Sequence, residues 1–254
     1  MEASAWPPGP LPAGKLPVGL LDGLLARLPP PPPEVRLGPR VGEDAAAIEV
    51  PAGTLVVATD PITLTSRDVG RFAIVINAND VAVTGARPRW FLAAVLLPPG
   101  TTAGDVEGLF DGMAEGLAAA GVSLVGGHTE VTAAVSQPVV VGQMLGLAED
   151  GRIVETGGMR AGDAVLQVGP APIEGAAVLA AEAAERLGGL DPSVVEAALR
   201  AASDPGISVV EPALLARDLG ATSLHDPTEG GLASGLHEMA RASGLAIEVD
   251  PEAV

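Results

Sequence analysis

Asn77-Ala78-Asn79-Asp80-Val81-Ala82-Val83-Thr84-Gly85-Ala86-Arg87-Pro88 is the stretch whose reading decides the fold. With Val69, Phe72, Ala73 and Ile76 upstream, its apolar residues recur near a helical period, so residues 68–84 are expected to form a helix. Three polar side chains, Asn77, Asn79 and Asp80, interrupt that apolar pattern. A carboxylate set among Ile76, Val81 and Val83 is costly to bury unless it is paired or bound to a metal. The plain alternative is a helix face that stays in water.

Strand signals lie on both sides of this helix. Residues 35–37, 45–50 and 54–59 are β-like and bounded by Gly or Pro, and residues 90–97 read as a buried strand closed by Pro98-Pro99-Gly100. Residues 102–120 form the clearest helix, with Thr102 as cap, Asp105 and Glu107 in its first turn, and Gly121 as its stop. Residues 122–125 are expected as a strand leading into a loop, Gly126-Gly127-His128-Thr129-Glu130, and residues 139–147 return as a strand. Strands therefore alternate with helices to about residue 150, the pattern of an α+β or layered α/β domain. After a hydrophilic boundary a second unit begins. Strands are expected over residues 164–168, 223–225 and 246–249, with helices near 174–187, 192–202, 209–219 and 228–242. Before residue 35 the sequence reads as a Pro/Gly-rich arm carrying Lys15, a short helix over residues 19–28, and the proline run 29–33. The expected division is 1–34 arm and short helix, 35–155 first domain, and 156–254 second domain.

The 254 residues carry 14 Lys+Arg against 32 Asp+Glu, a formal charge of −18. So acidic a surface is repelled by nucleic acid and by anionic membranes, and neither is expected as a partner. With no cysteine, thiolate metal sites, disulfides and thiol nucleophiles are excluded. The N-terminus lacks the basic and apolar regions of a secretory signal, and the apolar run 90–97 is too short to span a bilayer. A cytoplasmic protein is expected.

Five acidic motifs stand at the ends of strands or inside helices: Gly42-Glu43-Asp44-Ala45-Ala46, Thr59-Asp60-Pro61, Asn77-Ala78-Asn79-Asp80-Val81, Gly126-Gly127-His128-Thr129-Glu130 and His225-Asp226-Pro227-Thr228. Taken singly, Asp44 and Asp60 are ordinary turn residues, and Asp226 is a possible helix cap. Taken together, isolated carboxylates with few basic residues suit Mg²⁺, which takes oxygen ligands and shares them with nucleotide phosphates. Gly126-Gly127 before Thr129 lets backbone N–H groups approach an anion. Walker A and Gly-x-Gly-x-x-Gly patterns are absent, as is Gly-x-Ser-x-Gly. A two-metal hydrolase built on His128 and His225 is the weaker alternative, because no His-x-x-x-His pair supports it, and His237 reads as a surface or packing residue.

In order along the chain, these motifs, with Asn79 to Pro88 and Asp226-Pro227-Thr228-Glu229-Gly230-Gly231-Leu232-Ala233, resemble the aminoimidazole-ribonucleotide (AIR) synthetase superfamily, also called PurM-like. The last motif and Gly14-Lys15-Leu16-Pro17 are most similar to its hydrogenase-maturation HypE branch. The resemblance implies an α+β, layered α/β fold. In it a PurM-like N-terminal domain pairs its sheet with a twin subunit as a dimeric β-barrel, and a PurM-like C-terminal α+β domain follows, cut short at Val254. It implies an ATP site with Mg²⁺ held by Asp44, Asp60, Asp80 and Asp226. Gly126, Gly127, Thr129, Asn79 and Thr228 would join them around the nucleotide. Lys15 would neutralise phosphate charge and share the catalytic role with Asp80.

The implied activity is phosphoryl transfer to an oxygen of a small-molecule or protein-linked acceptor, with a homodimer and a maturation-factor partner. The HypE reaction also uses a C-terminal cysteine, which this sequence lacks. A non-catalytic nucleotide-binding scaffold and a kinase of the thiamine-phosphate type are the two other readings.

Overall fold

The structure, a computed structural model, describes residues 18, 35–37, 42, 46–50, 53–65 and 67–250. Lys15, Asp44, the helix expected over residues 19–28 and the proline run 29–33 lie outside the described residues.

Six strands form one mixed sheet: β1 (Val35–Leu37), β2 (Ala46–Val50), β3 (Gly53–Ile62), β4 (Arg87–Leu97), β5 (Ser123–Val131) and β6 (Val139–Ala148), in the order β1-β2-β3-β6-β4-β5. β6 runs antiparallel to both β3 and β4, while β4 and β5 are parallel. Helices α1 (Val69–Ala82) and α2 (Ala103–Ala120) make the two crossovers and pack together on one face of the sheet. The glycines of that layer set its spacing. A Cβ on Gly70 would come within 2.9 Å of Met113 Cγ, and one on Gly116 within 3.0 Å of Ile74 Cβ. α2 has the expected cap: Thr102 Oγ1 accepts from Asp105 N at 3.3 Å, and Asp105 Oδ2 accepts from Thr102 N at 2.8 Å.

α1 is buried almost all round, with only Arg71 and Val75 partly exposed. The sheet is asymmetric. On the helix face Val56, Phe91, Val95, Val140 and Met144 are at most 1% exposed. On the other face Leu55, Val57, Leu92, Leu96, Val141 and Leu145 are apolar and only half-buried.

The second domain holds α3 (Ile173–Glu182), α4 (Pro192–Ala201), α5 (Val210–Asp218) and α6 (Gly231–Ser243), with short 3₁₀ turns at Thr156–Gly158 and Ala184–Leu187 and a π-helical turn at Ala202–Gly206. The three strands expected there do not form: residues 164–168, 223–225 and 246–249 pair with no ladder. A short apolar run becomes a strand only when another strand lies beside it to exchange backbone hydrogen bonds. Here Leu166 stands 83% exposed and Val168 66% exposed. In the first domain the opposite correction applies. Gly126 to Glu130, expected as a loop, is part of strand β5, where a Cβ on Gly127 would overlap the Ala93 carbonyl oxygen. Among the described residues no helix is long and apolar enough to cross a membrane.

The close contact of α1 with the sheet makes a test. A Cβ on Gly142 would collide with the Asn77 amide and approach Phe91 Cε2 to 2.8 Å, whereas Gly108 on α2 has open space. Gly142→Ala should cost about 1–3 kcal/mol in urea unfolding. Gly108→Ala should stabilise by about 0.5–1 kcal/mol, as alanine does in a helix interior. A Gly142→Ala protein as stable as the parent would contradict the contact.

Candidate functional site

Two asparagines on α1 point in opposite directions. Asn77, fully buried, turns to the sheet: its Oδ1 accepts from Asp60 N at 2.8 Å, and its Nδ2 donates to Asp60 O at 3.2 Å and to Ala73 O at 2.9 Å. This fixes the backbone of β3 at Asp60, directly across from Gly142. Asn79 turns to the second domain. Its Nδ2 donates to Ile207 O at 2.9 Å, and its Oδ1 accepts from Val209 N at 2.8 Å. Asn79, singled out by resemblance for the nucleotide, therefore has its amide clamped on the backbone just before α5. Asp80, next along the helix, is 6% exposed and engaged by a partner, which excludes the solvated-face alternative.

The end of α1 is fastened in the same way. Thr84 Oγ1 donates to Val81 O at 2.7 Å, and Thr84 O accepts from Val154 N at 2.7 Å. Gly85, with φ +80°, turns the chain under Arg217, whose Cγ and Cδ would lie 2.9 Å from a Cβ there. Arg217 also binds Asp150 and donates to Asp218 at 3.0 Å. Arg87 pairs with Glu211 at 3.0 Å. Residues 77–88 are thus the spine on which both domains are mounted.

The last motif is built on α6. His225 Nε2 lies 2.8 Å from Glu238 Oε2, with the imidazole 2% exposed. Gly235 lets the chain settle on the helix: a Cβ there would stand 3.3 Å from Pro227 Cβ and 3.4 Å from His225 Cδ2. Asp226 is buried at 7% exposure. It is not the cap of this helix, whose N-cap is Gly230 at φ 89° with no side-chain hydrogen bond. The first motif reaches the same helix, since a Cβ on Gly42 would lie 3.5 Å from Glu238 O.

A residue that the sequence did not single out completes the seam. Glu174, in the first turn of α3, is held above the usual carboxylate range, first by burial and then by the charges of Asp60 and Glu229. Carboxylates from β3, from α3 and from the loop before α6 thus converge where the domains meet. A lone Glu in a first helical turn normally answers the helix dipole, so nothing in its sequence context marks it. The Gly126-to-Thr129 motif stands apart. Asp60, Gly142, Ala93 and Gly127 form one row across the sheet, which puts Gly127 about 14 Å from Asp60 at ordinary strand spacing, with Asn77 over the row's middle. All of β5 is exposed. Its outer backbone groups lie on the sheet edge, and His128 Nε2 lies 3.3 Å from Glu130 Oε2.

Among the described residues no three His, Asp or Glu side chains are grouped closely enough to hold a metal ion by themselves. The separate oxygen donors Asp60, Asp80 and Asp226 fit a cation shared with phosphates, since Mg²⁺ is commonly bound through one or two carboxylates plus substrate oxygens. They do not form a closed protein cage.

Fold and seam together define a two-domain α/β protein whose carboxylates gather at the domain junction. The chain matches the AIR synthase related protein N-terminal domain over residues 42–148 and the AIR synthase related protein C-terminal domain over residues 160–254. It belongs to the AIR synthase related family. It is similar to the carbamoyl dehydratase HypE of Cupriavidus necator, at 31% identity over 226 residues that cover 85% of this chain and 61% of that protein. Among solved structures it is similar to a hydrogenase maturation protein HypE in complex with ATP, with 27% identity, a TM-score of 0.62 and coverage of 79% of this chain and 59% of the other. It is also similar to a chain of a HypE–HypF complex, with 25% identity, a TM-score of 0.65 and coverage of 83% and 70%. The chain spans about three fifths of the length of the curated relatives it matches.

Glu174 supplies a pH test. A carboxyl whose folded pKa is raised keeps its proton in the native state at a pH where the unfolded chain has lost it, so stability falls as pH rises through that interval. Glu174→Gln removes the penalty. Its melting temperature should exceed the parent's at pH 7, and the difference should vanish below about pH 4, where both states are protonated. An advantage equal at both pH values would show that the charge at Glu174 is not the cause.

Proposed function

We propose that the chain binds Mg²⁺–ATP at the seam between its two domains and transfers a phosphoryl group to an oxygen of an acceptor, in the setting of hydrogenase maturation. The observation that carries this reading is the convergence of Asp60, Glu174 and Glu229 beside the buried Asp80 helix. Phosphoryl transfer needs positioning and charge neutralisation, and an acidic seam must import its positive charge. Asp60, Asp80 and Asp226, with Asp44, would hold Mg²⁺, which neutralises phosphate oxygens when bound. Lys15, Gly126, Gly127, Thr129 and Thr228 would contact the phosphates, the glycines through the open backbone of the β5 edge. Asn79 serves the site by keeping the second domain against α1. The similarity to a HypE solved with ATP supports the nucleotide, and the HypE–HypF complex supports a maturation protein as partner. The acceptor is a small molecule or a group carried on that partner, and the place of action is the cytoplasm.

The half-buried apolar face of the sheet supports a symmetric homodimer with its main interface in residues 35–150. Light scattering at micromolar concentration should find a particle of twice the 25.2 kDa chain mass. A particle of single chain mass would remove the dimer. A second reading is a nucleotide-binding scaffold, in which the same carboxylate seam holds Mg²⁺–ATP without turnover. ATP hydrolysis assayed alone and with candidate acceptors separates the two.

Asp80→Asn tests the site itself. It keeps size and hydrogen bonding and removes one charge from the proposed metal shell. Mg²⁺–ATP affinity by calorimetry should fall by about 1–3 kcal/mol, the scale of a strong charge-assisted interaction. The melting temperature in EDTA should hold or rise, because neighbouring carboxylates repel when no cation is present. Unchanged affinity would take Asp80 out of the site.

A further inference from the structure

The segment joining the two domains and the turn after α5 enclose a groove of about 450 Å³, lined by Arg152, Ile153, Glu155, Arg160, Ala221 and Thr222 among others. That volume is in the range of small-molecule sites. Among the described residues its positive charges close no salt bridge. Arg87, Arg89, Arg200 and Arg217 each hold a carboxylate, and Arg71 donates to the Ala202 carbonyl at 3.1 Å. Arg152 and Arg160 form no salt bridge among the described residues, in a chain where acidic side chains outnumber basic ones 32 to 14. The carboxylates around them are committed elsewhere. Asp163 accepts from Thr222 Oγ1 at 2.6 Å and from Arg160 N at 2.9 Å, and the Arg160 charge attracts it besides without closing a salt bridge. Asp150 accepts from the Arg217 guanidinium and from Arg152 N. Glu155 is engaged as well.

We propose that this groove is an anion site separate from the carboxylate seam, and that its ligand is a small dianionic phosphate monoester. One guanidinium satisfies both oxygens of a carboxylate in a bidentate pair. Two guanidiniums lining one groove match instead the three terminal oxygens and double charge of a phosphate monoester. The surrounding −18 field repels anions at long range, so selectivity falls to short-range pairing with both arginines. The groove is larger than a phosphate group alone. The organic part of the ester has Ile153 and Ala221 to lie against.

The test is calorimetric titration of inorganic phosphate, glycerol 3-phosphate and succinate into the full chain, with and without saturating Mg²⁺–ATP. One glycerol 3-phosphate site per chain is expected, filled whether or not nucleotide is bound and tighter than inorganic phosphate or succinate. Arg152→Ala with Arg160→Ala should weaken it at least tenfold while leaving Mg²⁺–ATP affinity unchanged. Arg152→Lys with Arg160→Lys, which keeps the charge but not the fork, should fall between. Circular dichroism checks that these exposed substitutions leave the fold intact. The proposal is overturned by absence of binding to the parent chain, by parent-like binding in the double alanine protein, or by succinate binding as tightly as the ester. Loss of monoester binding when nucleotide is added would assign the phosphate to the nucleotide site and overturn it equally.

Discussion

The two amides of α1 are the interaction on which the rest depends. Asn77 reads the sheet and Asn79 reads the second domain, from positions two residues apart on a helix with almost no exposed surface. A helix buried on all sides tolerates polar side chains only if each finds partners. Both asparagines do so by replacing backbone hydrogen bonds that neighbouring chain would otherwise lack. The cost of burying them is thereby turned into register: β3 is held at Asp60, and the entry to α5 is held at Ile207 and Val209. Asp80 sits directly beside that clamp, so any movement of the second domain is felt at the carboxylate. The same stretch then ends at Gly85 under Arg217, where a side chain would have no room.

From this spine the chemistry follows by proximity. The acidic residues that meet at the seam come from β3, from α3 and from the approach to α6, three parts of the chain far apart in sequence. Each was placed for a structural reason of its own: a strand pinned by an amide, a helix start, a loop seated on Gly235. Burial first, and then the neighbouring charges of Asp60 and Glu229, raise the Glu174 carboxyl, and the gathered negative charge favours a cation. That concentration of charge is in keeping with a solved relative that holds ATP.

Much of the first domain was legible in the sequence because its signals are local. The strands of the sheet lie within a few residues of their Gly and Pro boundaries, and α2 carries its cap in Thr102 and Asp105. Asp80 stood out too, because Ile76, Val81 and Val83 make burial of a carboxylate there costly, although a solvated helix face was the open alternative. What the sequence could not display was pairing at a distance. Residues 164–168 are as apolar as a strand and lack a neighbour, while Gly126 to Glu130 look like a loop until Gly127 meets the Ala93 carbonyl. Glu174 was hidden for the same reason: its significance lies in Asp60 and Glu229, 114 residues before it and 55 after. Asn79 drew attention as a polar residue in an apolar helix, and only its partners reveal that it grips backbone from the other domain.

The central claim is that β3, α1 and the loop before α6 act as one nucleotide-binding seam. Hydrogen–deuterium exchange with and without Mg²⁺–ATP tests it most directly, because it reads each segment separately in the intact protein. The account predicts that residues 58–62, 76–82 and 225–230 gain protection together over one ATP concentration range, and that Asp80→Asn shifts all three to higher ATP. Protection confined to one of these segments, or unaltered by that substitution, would contradict it.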